Sequence, residues 1–311
     1  MRSWVIALGG NALLPPGESG DLAAMQRRIR ESAAVLAGVA DGTVALVVTH
    51  GNGTQVGHLL AQVEEARGKA PSAPLDVLVA ETQAQIGYLL QQAIQNEFAK
   101  AKRATGVVTV ITQVVVDGND PDFEKPSKPV GPIIATETEA MLKRARGWIL
   151  AADARGGWRR IVPSPRPRQI VETSAIQALL AAGHVVIAAG GGGVPVVRKG
   201  DSLVGVEAVV DKDLASALLA REIGAERLVL ATDVDRVALD FRKPNQRFVD
   251  HMTIHEAREH LKAGQFPTGS MGPKVEAAIG FLEGGGKESI ITSLGRLREA
   301  LDGTAGTRIS K

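Results

Sequence analysis

WVIALGGN, residues 4–11, and VALVVTHGNG, residues 44–53, each run an apolar stretch straight into a glycine–asparagine turn. Gly9, Gly10 and Asn11, like Gly51, Asn52 and Gly53, therefore stand at the carboxyl end of a strand, where backbone without side chains lets N–H groups approach an anion. Taken singly, each loop reads equally as a tight strand-to-helix turn, the common use of Gly and Asn. Two such loops, joined by the four-glycine run Gly190 to Gly193, favour phosphate binding. Neither loop matches GxGxxG or GxxxxGK[ST], so a dinucleotide fold and a P-loop are poor fits.

Between the first two strands, Leu22, Met25, Ile29, Ala33, Leu36 and Val39 recur every three or four residues, making one apolar face on a helix that Gly42 can terminate. The same alternation of short apolar runs and helical periods continues. Further strands are expected at Val107 to Gln113, His184 to Ala189, Arg227 to Thr232 and Glu288 to Thr292, with a long helix over Leu75 to Phe98. The pattern predicts an α/β fold with a mainly parallel sheet covered by helices. It breaks between Asp117 and Ile170, where prolines and glycines cluster around a helical segment near Glu137 to Arg146. That region reads as an inserted subdomain.

A chain of 311 residues, 44% hydrophobic, can bury a large core. Its net charge of +2, with both signs interspersed, points to neither nucleic acid nor an anionic membrane. The absence of cysteine removes disulfides, thiolate metal sites and cysteine nucleophiles and is compatible with a reducing cytoplasm. No stretch reaches the roughly 18 apolar residues of a membrane span, and none has the form of a signal peptide.

Three lysines stand where an anion would be met. Lys274 follows Gly272-Pro273 in the first turn of an expected helix, where a cation opposes the helix dipole unless an anion intervenes. Lys212 lies between Asp211 and Asp213 at another helix start; either aspartate can cap the helix, leaving the other to orient a lysine. Lys128, in KPSKP at 125–129, sits on proline-stiffened backbone inside the insertion. Asp233 and Asp235 follow the 227–232 strand and could meet a ribose or a hydrated magnesium ion, or cap the next element. His251, His255 and His260 are expected on a surface helix and show no zinc spacing.

ALGGNA at 7–12, HGNG at 50–53, TQVVVD at 112–117, KPSKPVGP at 125–132, GWRRIVPSP at 157–165, GGGGVPVV at 190–197, GVEAVVDKD at 205–213, TDVD at 232–235 and GSMGPKVEAAI at 269–279 together resemble the carbamate kinases of the amino acid kinase family. The resemblance spans the chain, and the two insertion motifs are its most specific parts. It implies an open three-layer αβα sandwich with a protruding lid at 118–170, an acceptor-binding half at 1–210 and an ATP-binding half at 211–311. It implies reversible phosphoryl transfer between ATP and carbamate, with magnesium carried by the nucleotide and no protein metal site, in a cytoplasmic homodimer; ATP synthesis from carbamoyl phosphate is the expected direction. The rivals are an amino acid kinase with another acceptor and a non-catalytic nucleotide-binding module.

Carried onto this sequence, the resemblance gives Lys128, Lys212, Asp213 and Lys274 to catalysis. Gly9, Gly10 and Asn11 go to the transferring phosphoryl, and Gly51, Asn52 and Gly53 to the acceptor. Thr232, Asp233, Asp235, Met271, Gly272 and Pro273 go to the nucleotide. The chain departs from the family pattern at Thr54, where proline is common, at Ala84, where glycine is common, and at Asp240-Phe241-Arg242 before Lys243-Pro244. Ala7 stands where many relatives outside the carbamate kinases place a lysine, a charge that Lys128 would supply.

Overall fold

The computed structural model describes residues 2–10, 13, 21–52, 54–153, 156–267 and 269–311. Its main sheet has eight strands, in the spatial order His251–Thr253, Thr307–Ser310, Glu288–Ser293, Arg227–Thr232, Arg2–Leu8, Val44–His50, Val185–Ile187 and Val107–Thr109. All neighbours run parallel except Glu288–Ser293 with Thr307–Ser310. The strand Arg2–Leu8 lies centrally, paired with Arg227–Thr232 on one side and Val44–His50 on the other.

Side chains on a strand alternate between faces, and here both faces are apolar. Val5, Ala7, Val47, Leu228 and Leu230 join one core with Leu218, Leu219, Phe281 and Leu282 from the helices Lys212–Glu222 and Met271–Glu283. Ile6, Leu8, Leu46, Val48 and Val229 join the opposite core with Ile29 and Leu36 of Leu22–Val39 and Ile86 and Leu90 of Leu75–Lys100. The period-two split of one sheet between two helical layers produces the αβα sandwich.

The expected strand from Val107 to Gln113 is two strands. Val107–Thr109 ends in the main sheet, and Gln113–Val116 enters a separate four-stranded sheet in the order Ser202–Gly205, Val194–Lys199, Gln113–Val116, Pro167–Ile170. Buried Gln83 is the physical cause: its Nε2 donates to Thr112 O at 3.0 Å and its Oε1 accepts from Thr112 N at 2.9 Å, so Thr112 is withdrawn from the ladder. The helix Leu22–Val39 stops at a cap on Ala40, and Gly42 lies beyond it in a turn with φ of 89°. His251 is not helical: it sits on a strand paired with Arg308, while His255 and His260 lie on Ile254–Lys262.

Within the insertion, Lys128–Ile134, Trp158–Val162 and Leu150–Ala152 form a three-stranded sheet beside the helix Glu137–Ala145. Pro167–Ile170, near its end, pairs back with the body. The small sheet packs on the helix Gln55–Glu65 so closely that a Cβ on Gly57 would lie 2.7 Å from Gly131 Cα. Val56, Leu60, Leu78, Val130 and Val162 share a third apolar cluster there, which fixes the insertion over the second glycine loop.

Candidate active site

The carboxyl ends of the central strands, the insertion and two helix starts enclose a cavity of about 320 Å³. Gly10, Gly51, Asn52, Lys128, Lys212, Asp213, Pro273 and Lys274 line it. These residues lie far apart in the chain, and three local decisions bring their charges together.

The first is a cap. Asp211 closes the start of Lys212–Glu222, its Oδ1 accepting from Asp213 N at 2.9 Å and Leu214 N at 3.3 Å. That leaves Asp213 free for the lysines, settling which aspartate does which. Asp213 is 3% exposed; its Oδ1 accepts a hydrogen bond from Lys212 Nζ and its Oδ2 one from Lys274 Nζ at 3.0 Å. The second is the helix Met271–Glu283, whose first turn carries Lys274 against the dipole, so Asp213 supplies the compensating anion. The third is the insertion, from which Lys128 Nζ reaches Val210 O at 3.2 Å and Asp211 Oδ2 at 3.5 Å.

Burial works against charge here, and the neighbours decide the outcome. It pushes the Asp213 carboxyl up, but Lys212 and Lys274 outweigh it and hold the group below the usual carboxylate range. For Lys212, burial wins over the attraction of Asp213 and lowers its pKa from the ordinary lysine value. Among the described residues three lysines and two aspartates, Asp211 and Asp213, face the cavity, so +3 and −2 leave +1. A further donor points to a ligand: Asn52 is 8% exposed, lines the cavity, and its Nδ2 has no hydrogen-bond partner among the described residues.

The remaining expected residues divide. Gly9 lies under the site, where a Cβ would come 2.8 Å from Ala231 O. Asn11 and Gly53 lie outside the described residues. Thr232, Asp233, Asp235, Met271 and Gly272 do not line the lysine cavity. Thr232 Oγ1 donates to Asp233 Oδ1 at 3.0 Å, Asp235 accepts from Ser293 Oγ, and Gly272 N donates to Pro267 O at 2.9 Å. Gly51 N–H is committed to Leu8 O at 3.2 Å, so the second loop does not offer that amide to an anion. Gly191, of the four-glycine run, lines the cavity, as do Val209, Val210 and Ser270, which the sequence did not single out. Val210 and Ser270 offer backbone carbonyls to Lys128 Nζ and Lys274 Nζ, a contribution for which residue type carries no signal.

A model of the amino acid kinase family matches residues 2–293. The chain belongs to the amino acid kinase family. Within that family it is 46% identical to a carbamate kinase of Thermococcus kodakarensis, over 99% of both chains, and 45% identical to one of Pyrococcus furiosus, over 98% of both. In three dimensions it is similar to the carbamate kinase of Giardia lamblia bound to AMP-PNP, with a TM-score of 0.93, 42% identity, and coverage of 100% of this chain and 98% of that one. The family match and these likenesses extend across both the glycine loops, the strand that begins at Lys128 and the helix starts that carry Lys212 and Lys274.

Proposed function

We propose that this amino acid kinase transfers a phosphoryl group reversibly between ATP and carbamate, giving ADP and carbamoyl phosphate. The observation that carries the reading is the buried Lys212–Asp213–Lys274 triad opening into the same cavity as the insertion's Lys128 and the unpartnered amide of Asn52. In the forward reaction a carbamate oxygen attacks the γ-phosphorus, the bond from that phosphorus to the β–γ bridging oxygen breaks, and ADP leaves. The acceptor is already an anion, so no proton moves and no general base is required. The barrier is one of alignment and charge.

Each residue has a place in that scheme. Lys212 and Lys274 hold the phosphate oxygens, and Asp213 keeps both ammonium groups pointed at one spot while leaving them a net positive charge to share. Lys128 meets the acceptor or the phosphoryl in transit from the lid side. Gly9, Gly10 and Asn11 border the transferring group, and Asn52, with Gly51 and Gly53, the acceptor. Thr232, Asp233, Asp235, Met271, Gly272 and Pro273 serve the nucleotide. The acceptor half is 1–210 with its lid at 118–170, and the ATP half is 211–311.

Among the described residues no group of three His, Cys, Asp or Glu side chains could hold a metal ion. A site built on lysines fits a magnesium ion that arrives on the nucleotide, where it neutralises phosphate charge. The proposal includes a homodimer, supported by Val77 and Tyr88, exposed and about three turns apart on one side of Leu75–Lys100. It also includes a cytoplasmic setting and ATP synthesis as the working direction, in keeping with the cysteine-free composition and the resemblance; among the described residues no helix is long and apolar enough to cross a membrane.

The test mixes pure protein with ADP, magnesium and carbamoyl phosphate and follows ATP. Turnover supports the proposal. No ATP, with turnover on another carboxylate or a nucleoside monophosphate instead, sinks it.

A further inference from the structure

We infer that His50 is a positioning residue whose imidazole sets the distance between the Gly51-Asn52 loop and the Gly190–Gly193 turn, and so the fit of the acceptor. The inference rests on the assignment of Asn52 to the acceptor in the proposed reaction. His50 is 1% exposed at the end of the strand Val44–His50. Its Nδ1 lies 2.8 Å from Gly51 O, and a carbonyl only accepts, so Nδ1 carries the proton and holds that peptide in place.

The other edge of the ring meets Gly190. A Cβ there would lie 2.5 Å from His50 Nε2 and 2.6 Å from Cε1, so the turn rests directly on the imidazole. One residue further, a Cβ on Gly191 would lie 2.7 Å from Asn52 Nδ2. Ring and amide thus stack in turn against consecutive glycines, and Gly191 and Asn52 both line the cavity.

Both loops are pinned from behind, which makes the ring a spacer between fixed walls. Gly51 N is tied to Leu8 O, while Ala189 N donates to Thr112 Oγ1 at 2.9 Å and Val194 N to Thr112 O at 2.8 Å. Gln83 clamps Thr112 in turn, and its Cγ lies 3.0 Å from where a Gly190 Cβ would be. Burial, together with Lys212 nearby, lowers the His50 pKa to about 4, so the spacer is uncharged at working pH and does not compete with the lysines.

A double-mutant cycle tests this in the ADP-to-ATP assay. Gly190 has no positive φ, so Gly190→Ala adds a methyl group whose first conflict is with the ring. His50→Asn keeps a donor toward Gly51 O and removes the ring's width. Each single variant should raise KM for carbamoyl phosphate about tenfold while leaving KM for ADP within about twofold, the scale of a small misplacement. In the double variant the methyl occupies space the ring has left, and KM for carbamoyl phosphate should stand below either single. Independent effects multiplying to about a hundredfold, or a parallel rise in KM for ADP, would overturn the inference. Thermal melting of each variant reports folding; should Gly190→Ala not fold, His50→Phe, which keeps the width, decides by staying within about threefold of wild type where His50→Asn does not. Wild-type turnover in the same assay tests the functional reading separately.

Discussion

Replacing Asp213 by asparagine is the most informative single change at this site. The carboxylate is 3% exposed and accepts hydrogen bonds from two lysines that are themselves largely buried. The amide in Asp213→Asn would keep the volume and one acceptor while leaving two ammonium groups with no buried counter-charge, and breaking a buried pair in this way costs about 3 kcal/mol or more. For a chain of 311 residues that corresponds to a fall in melting temperature of about 5 °C. The cavity's charge would rise from +1 to +2, so ADP should still bind and should restore more melting temperature to the variant than to the wild type. Turnover should fall by about two orders of magnitude, because the lysines lose the group that aims them. The pH dependence has a definite sign. A carboxyl held below its ordinary value of 3.8 contributes stability that is present above that pH and lost as pH falls through its folded pKa. The gap between wild type and variant should therefore be flat near neutrality and close only below about pH 3.8. Melts with and without ADP, together with ATP formation, supply every reading. A variant with wild-type melting and wild-type turnover would refute the electrostatic account of the triad.

The lysines and the lid make separate predictions. Lys212→Ala and Lys274→Ala should each lower turnover by about two orders of magnitude, as for loss of one transition-state charge contact, and near-normal rates in either would remove that lysine from the mechanism. Lys128→Ala should raise KM for carbamoyl phosphate while ADP affinity by calorimetry stays near normal; an equal loss of ADP affinity would contradict its place on the acceptor side. Glu64→Gln should loosen the proposed lid, because burial pushes the Glu64 carboxyl up yet Arg67, Lys143 and Arg146 hold it below its usual value, and Lys143 and Arg146 fall within the span proposed for it. Limited proteolysis should then cut within 135–162 faster than in the wild type, and an unchanged cleavage rate would show that the apolar contacts of Val56, Leu60 and Val130 hold the lid alone.

Much of the architecture was legible because it follows from short-range rules. The apolar runs at 44–49 and 227–232 became strands of the main sheet, and the three-to-four spacing from Leu22 to Val39 became a helix whose apolar side from Met25 onward lies in the core, while Leu22 at its start is exposed. Proline and glycine cluster where the chain leaves the main sheet for a separate three-stranded one, since they interrupt regular structure. The break at Val110 to Thr112 was not legible, since a run of β-branched residues gives no sign that Gln83, 29 positions away, will claim Thr112. At the site, Lys212, Asp213 and Lys274 were visible as charges at helix starts, and Lys128 as a lysine on proline-stiffened backbone. Asn52 stood out as a loop residue, but its unpartnered amide did not. His50 reads as one more polar residue until Gly190 is placed against its ring.

The sequence by itself determined most strands of the main sheet and the long helices Leu22–Val39 and Leu75–Lys100, that helices cover the sheet, and which cations are available, since these depend on periodicity, capping and residue type within a few positions. Tertiary structure alone decided that Asp211 caps while Asp213 bridges Lys212 and Lys274, that Lys128 reaches from the three-stranded sheet to Val210 and Asp211, and that Gly51 spends its amide on Leu8. The physical reason is that a charge or a hydrogen-bond donor acquires its role from whatever lies within a few ångströms of it. Here those neighbours come from chain segments as distant in sequence as the Lys128 strand and the Lys274 helix, gathered only when the parallel strands align their carboxyl ends.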